Sequence, residues 1–489
     1  MPLLHTLGVV VSFWFALFVV DRTMRRHRPC KSTYQQNLDE WGVSVSFAHV
    51  RFYTTRFNRL FHSIGNYNKP ACRFWFGLGA FIGVALMLTS MVVLSFTLYQ
   101  TLFARVSDSS QPVLTPIMPG VNLPWNDIAY YLLTLVICTV FHEVGHALAA
   151  STEQVRVNGF GVFMLFLYPG AFVDLHSDHL SVISPRRQLR IYCAGVWHNV
   201  ILVLCALLLV WSLPLSLAPF YTTGIGTVVT SVPRDSVLTG KLNPGGVITS
   251  MNSCPVYGSG EWYSCIEKVG SSPQPGYCVS LDLLERHLSY PINQTTLAED
   301  GTRECCDKDS QSDICFHVMY GKGRPSTFKC LTARAVSSRE TCFNPRDCKG
   351  VADYACVYPA ISSATRLVRI SHTEGKDVLF LGDPRGLPYA VSITSYLPNS
   401  PYCPLWLPDL LQTLCMYIAS LSSALALLNM VPAYFLDGQW ALTVLIELCF
   451  EGVIPNPKHR RQICNCILIC GSILLGLNIC LAIWTLINW

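Results

Sequence analysis

His142, Glu143 and His146 stand together in the stretch T-V-F-H-E-V-G-H-A-L-A-A, Thr139 to Ala150. On a helix, positions i and i+4 share one face a turn apart. The imidazoles of His142 and His146 can then bind one Zn²⁺, with Glu143 beside the open coordination position. In this H-E-x-x-H arrangement zinc lowers the pKa of bound water to about 7 and the glutamate takes its proton. The setting sharpens the point, because from Ile128 to Ala150 there is no other Asp, Glu, Lys, Arg or His. An ionisable group at mid-membrane costs a few kcal/mol, so such groups pair, bind an ion or line a cavity. That cost argues against a coincidental motif.

Two histidines leave zinc short of a protein ligand. The segment N-M-V-P-A-Y-F-L-D-G-Q-W, Asn429 to Trp440, supplies Asp437 at the end of an apolar stretch. Pro432 breaks or kinks a helix there, which lets the chain turn inward and aim Asp437 at the metal. Asp-Gly is also an ordinary turn pair, and an aspartate at a helix end can simply be solvated. The incomplete zinc site in the same chain weighs for a ligand. His198 is then expected to be structural, and His176 and His179, in a polar loop, to be solvated.

Composition says what must position these groups. The 489 residues are 51% hydrophobic and 13% charged, against about 25% charge in soluble proteins, so the chain is an integral membrane protein. A net charge of +5 gives no reason to expect nucleic-acid binding. Apolar stretches long enough to span, roughly 20 residues each, occur near 3–20, 73–103, 128–150, 189–220, 409–436 and 463–487. The first lacks a cleavage site and ends in Arg22, Arg25, Arg26 and Arg28, so it reads as a retained span. The second suits one tilted helix or a tight hairpin. Residues 155–175 are apolar but punctuated by Asn158-Gly159, Gly161 and Pro169-Gly170, which predicts a β-hairpin. Open strands cannot face lipid, so such a hairpin must lie against protein or a wet cavity.

Eleven of the 22 cysteines lie in or beside apolar spans, and eleven lie between Cys254 and Cys403 in the one long polar region. The dense group predicts a disulfide framework in an oxidising compartment, with pairings that spacing does not determine. Asn293-Gln294-Thr295 is a glycosylation sequon in the same region, which fits a luminal face. The loop 21–73 carries ten Lys/Arg against three acids, Arg186, Arg187 and Arg190 follow the hairpin, and Lys458-His459-Arg460-Arg461 precede the last span. With 73–103 as a single crossing, all three basic segments are cytosolic and 222–405 is luminal. A hairpin there would reverse the first loop.

The expected organisation is an N-terminal membrane region with a basic loop (1–126) and a first core part carrying the H-E-x-x-H helix (127–221). A luminal β domain follows (222–405), interrupted by a Cys-rich insertion (254–356), and then a second core part with the last span (406–489). About six or more helical spans are expected.

H-E-x-x-H in one membrane helix and N-x-x-P-x-x-x-L-D-G in a later one (Asn429, Pro432, Leu436, Asp437, Gly438) resemble the intramembrane zinc metalloproteases of the site-2 protease class. A further pattern, G-x-x-x-N, is present as Gly195 and Asn199 in C-A-G-V-W-H-N. The likeness covers nearly the whole chain. One departure is S-D-S-S-Q-P-V-L, residues 107–114, short where a long Ser run is typical of mammalian members. The resemblance implies a polytopic α-helical protein with a re-entrant β-hairpin over 158–175 and a luminal PDZ-like domain. One Zn²⁺ per chain would be held by His142, His146 and Asp437, with Glu143 as general base and Asn199 and Asn429 supporting substrate or oxyanion. It further implies cleavage of membrane-anchored transcription factors within their transmembrane segment. Sterol regulatory element-binding proteins and ER-stress factors are the animal substrates, cut in the Golgi or endoplasmic reticulum membrane after a luminal protease has made the first cut. The partners are thus the bilayer and single-span substrates.

The rival class is a non-proteolytic membrane zinc protein, either a transporter or a substrate-binding pseudo-protease. A transporter would not require Glu beside the first His, and a pseudo-protease typically carries a damaged motif. A zinc protease of the prenylated-protein type would carry a downstream Glu ligand motif in place of L-D-G.

Overall fold

The architecture comes from a computed structural model, which describes residues 2–26, 28–103, 127–291, 295–298, 300–306, 313–320, 325–348 and 353–487. The sequon at Asn293 and the loop 107–114 lie outside these residues. The chain divides into two units, Met1–Trp211 with Gln412–Trp489, and Ser212–Leu411.

In the first unit the apolar runs become helices because an uninterrupted segment in lipid must satisfy every backbone group internally. The helices in order are α1 (Pro2–Arg26), α2 (Arg28–Trp41), α3 (Asn58–Tyr67), α4 (Lys69–Phe103), α5 (Ile128–Thr152), α6 (Ser177–Val182), α7 (Pro185–Tyr192), α8 (Ala194–Leu217), α9 (Leu407–Asn429), α10 (Asp437–Phe450) and α11 (Pro457–Ile487). Five of them, α4, α5, α8, α9 and α11, are long and apolar enough among the described residues to cross a membrane. The run 3–20 lies within α1. The alternative at 73–103 resolves as one helix: α4 has 35 residues, about 52 Å at 1.5 Å per residue.

Small residues let these helices approach closely, as lipid-embedded packing requires. A Cβ at Gly79 of α4 would meet the Trp197 side chain at 2.6 Å, one at Gly83 would meet Cys193 Sγ at 2.7 Å, and one at Gly145 of α5 would meet the Ala194 carbonyl at 2.6 Å. Ala147, Ala149 and Ala150 are fully buried, and Thr152 Oγ1 donates to Gly65 O of α3 at 3.1 Å.

Residues 155–175 form the expected hairpin, but within a larger sheet. Four antiparallel strands lie in chain order: β1 (Val43–Ser46), β2 (His49–Thr54), β3 (Val157–Leu165) and β4 (Tyr168–Leu175). The first two come from the segment read as a basic loop. Their signal is the alternation V-S-V-S and then H-V-R-F-Y-T, which has the period of a half-buried strand. The Arg51 guanidinium of β2 lies 4.0 Å from the centre of the Phe172 ring of β4, and Asn58 Nδ2, at the start of α3, donates to the carbonyls of Val157 and Asn158, tying both to the hairpin.

The second unit holds two larger antiparallel sheets, beside two two-stranded ones that pair Tyr221–Thr222 with Leu397–Pro398 and Thr296–Leu297 with Arg303–Glu304. In the first the strand order is Val378–Gly382, Arg366–His372, Val247–Met251, Thr227–Ser231, Ser392–Thr394, with the helix Ser259–Ser271 packed on it through Trp262, Cys265 and Ile266. In the second the order is Ser289–Tyr290, Thr327–Thr332, Asp313–Met319, Tyr354–Pro359, Gly276–Ser280, Thr341–Cys342. The inserted sheet therefore runs from Gly276 to Pro359. Val256 to Ile266 belong to the first core, because the helix they lead into buries its apolar face there. Five disulfides pair ten of the eleven cysteines: Cys254–Cys265, Cys278–Cys348, Cys305–Cys315, Cys306–Cys330 and Cys342–Cys356. Cys403 stays free. The sulfurs of Cys278, Cys342 and Cys348 cluster, but each is consumed in a disulfide and none is a metal ligand.

Candidate metal centre

Three side chains from two distant segments meet at one point. His142 and His146 face inward from α5, and Asp437 arrives from the far end of the sequence. Asp437 does not close the preceding span, as its place in the apolar run 409–436 suggested. Helix α9 ends at Asn429, the residues around Pro432 form turns in which Ala433 N bonds Val431 O, and Asp437 is the first residue of α10. A carboxylate there is favoured by the helix dipole. The turn is seated against α11, where a Cβ at Gly471 would come within 2.2 Å of Pro432 O.

His142 Nε2, His146 Nε2 and Asp437 Oδ2 are mutually 2.9, 3.1 and 3.3 Å apart. A tetrahedral zinc with bonds of about 2.0–2.2 Å spaces its ligand atoms by about 3.3 Å, so the triangle has the right size. Its chemistry fits as well. His146 Nδ1 lies 2.8 Å from Ile191 O, so that nitrogen carries the proton and Nε2 presents a lone pair. His142 Nδ1 lies 3.2 Å from Asn199 Nδ2, while Asn199 Oδ1 is buried without a partner. Exchanging the two ends of this amide, which are indistinguishable by shape, lets Oδ1 accept from His142 Nδ1–H and removes the orphan. Both Nε2 atoms and a carboxylate oxygen then converge as three acceptors with no donor among them, a combination that suits a metal cation. A Cβ at Gly195 would sit 2.4 Å from His146 Nε2 and 2.5 Å from His142 Nε2, so only glycine leaves the space between the imidazoles clear.

Glu143 lies beside the triad, and its Oε2 accepts from the backbone N–H of Val173 in β4 at 3.0 Å. Asn429 Nδ2 lies 3.5 Å from His142 Nε2, on the metal side of that ring. Asn199, fully buried, touches the opposite side of the same ring. Its side chain is thus placed against the imidazole of a candidate ligand. Ser422 Oγ donates to the Asn199 carbonyl at 3.2 Å. His198 bonds Ala194 O and packs between Phe76 and Phe141, a structural placement. His176 and His179 stack at 4.4 Å, and His176 Nδ1 is shielded from solvent, so the expectation of free solvation does not hold for His176.

One cluster escaped the sequence entirely. Glu153, just past the end of α5, is 1% exposed. Its carboxylate binds Arg187 Nε and Arg190 Nη1 of α7, each at 2.7 Å, and Arg187 also donates to its carbonyl. Arg190 adjoins Ile191, whose carbonyl orients His146. The signal was an acid lying 34 and 37 residues from its partners, a spacing with no local rule.

The profile of peptidase family M50 matches residues 130–475, a span that takes in the three candidate ligands, the polar unit and most of α11. The chain belongs to peptidase family M50. It is also similar to a membrane-bound transcription factor site-2 protease homolog of Arabidopsis thaliana, with 26% identity over 84% of this chain and 89% of the relative. Together these make it an intramembrane metalloprotease of the site-2 protease type, in a family that uses zinc.

Proposed function

We propose that this metalloprotease hydrolyses a peptide bond inside the transmembrane segment of single-span, membrane-anchored transcription factors that a luminal protease has already cut. Sterol regulatory element-binding proteins and ER-stress factors would be its substrates, and the Golgi or endoplasmic reticulum membrane its site of action, with residues 222–405 luminal. The convergence of His142, His146 and Asp437 beside Glu143 carries this reading. The three ligands would hold one zinc, which supplies Lewis acidity, polarising the scissile carbonyl and lowering the pKa of water at the site to about 7. Glu143 takes the proton of the attacking water and returns it to the leaving amine. The Asn429 amide, on the metal side of His142, donates to the oxygen on which charge develops. Asn199 holds the His142 ring.

A helical substrate must unwind before attack, and β4 supports a way of holding it. Strand β2 covers the far side of β3, so among the described residues the unpaired edge of the hairpin is that of β4. A re-entrant setting for this sheet lets an unwound segment add to that edge by backbone pairing. In the polar unit the edge of Val378–Gly382 is likewise unpaired, which favours a PDZ-like domain that admits trimmed chains by strand addition. A size filter would act without binding peptide.

The deciding experiment measures zinc content and cleavage of a pre-trimmed single-span reporter in wild type and Glu143→Gln. Zinc retained near one per chain with cleavage abolished is the expected result. Cleavage that survives the change would sink the assignment of Glu143.

A further inference from the structure

The hydrogen bond between Val173 and Glu143 joins the strand edge to the acid that acts on water. The register of the hairpin says which backbone groups of β4 face outward. Leu165 pairs with Tyr168 across a two-residue turn, and pairs continue through Phe163–Gly170 and Gly161–Phe172. In antiparallel pairing, alternate residues exchange bonds with the partner and the others point away. Pro169, Ala171 and Val173 fall in the second set. Two observations agree with that parity: Pro169 has no N–H to lose, and the Val173 N–H goes to Glu143 rather than to β3.

We propose that the Val173 amide is a positioning group for Glu143: it holds Oε2, leaving Oε1 to meet water, while Ala171 on the same edge pairs with substrate. This inference rests on the assignment of Glu143 as general base. The side chain of glutamate has three rotatable bonds, and one amide from a strand packed on α5 fixes its reach. Because β4 is also the edge a substrate would join, docking and alignment of the base depend on one strand. A substrate seated in the wrong register displaces β4 and misplaces Glu143 with it.

Proline substitutions at the two outward positions separate the roles. Proline is tolerated at an edge position whose N–H faces away from the sheet, and Pro169 already occupies one. In the zinc-loaded full chain, Val173→Pro should lower kcat by about 10- to 100-fold, the scale of a misplaced catalytic group. Ala171→Pro should raise KM for the single-span reporter with kcat within about 3-fold of wild type, as loss of a docking contact alone would. A second readout needs no activity. With ¹⁵N-valine labelling, the Val173 amide proton should move upfield in Glu143→Gln, because a bond to a charged acceptor becomes one to a neutral amide. Wild-type kcat in Val173→Pro would overturn the proposal, and so would a Val173 resonance that ignores Glu143→Gln. Should Val173→Pro lose its zinc or fold, the resonance arm decides alone. Cleavage by Glu143→Gln would instead remove the general-base assignment and leave the contact itself standing.

Discussion

At the residue scale the centre depends on what is missing as much as on what is present. Gly195 lies directly over the two imidazoles, and any side chain there enters the space a metal needs. Gly195→Ala is expected to abolish zinc binding while α8 still forms, since alanine is the better helix residue. Metal analysis of the purified variant beside its helical circular dichroism checks this. Asn199 offers a graded test. Loss of a group that orients a ligand costs about 10- to 100-fold in metal affinity, so Asn199→Ala should weaken zinc by that factor in a chelator competition. Asn199→Asp keeps an oxygen acceptor for His142 Nδ1–H and should retain most of the affinity. His142, Glu143, His146 and Asp437 were legible in the sequence because their types are costly in an apolar segment and their spacing is local. The partners behind them were not: Ile191 contributes a carbonyl, which every residue has, and the Val173 contribution is a backbone N–H.

At the scale of elements, the unforeseen piece is the clamp at the end of α5. Arg187 and Arg190 were read as charges marking a membrane face, yet both are spent on one buried carboxylate. Breaking a buried ion pair by removing one partner costs about 3–5 kcal/mol. Glu153→Gln should therefore lower the detergent-solubilised melting temperature clearly, and should loosen zinc as well, because α7 carries the carbonyl that orients His146. Arg190→Ala, measured the same way, should reproduce part of that loss. The β hairpin at 155–175 was legible from its Gly and Pro punctuation, whereas the strands 43–54 hid inside a loop defined by its charge. Their side-chain alternation was visible, but pairing with β3, some hundred residues away, is a long-range choice that no local pattern encodes. Likewise the end of α9 could be placed near Pro432, but not the start of α10 at Asp437.

At the scale of the whole molecule, the two units are stabilised by different means. The first relies on close helix packing around small residues, and the second carries five cross-links over two modest sheets. Removing one native disulfide from a small domain costs about 2–5 kcal/mol. Treatment with reductant should therefore expose 212–411 to added protease while zinc remains with the other unit, which limited proteolysis and metal analysis can follow together. Unreduced protein should resist the same digestion. The division of the sequence, apolar helices before and after a disulfide-bonded polar segment, was legible from where charge and cysteine fall. The partition of the insert between two sheets was not, because the helix Ser259–Ser271 is Cys-bounded like the rest and differs only in the core that receives it.

His142 and Asp437 are 295 positions apart, and the whole of the disulfide-bonded unit lies between them. During synthesis the two histidines enter the membrane long before the aspartate has been made. A half-finished chain thus holds imidazoles with no third ligand, and a ribosome that stalls inside the polar unit leaves behind a product without a completed centre. Competence to cut therefore waits on Asp437, which is made only after the whole of the disulfide-bonded unit.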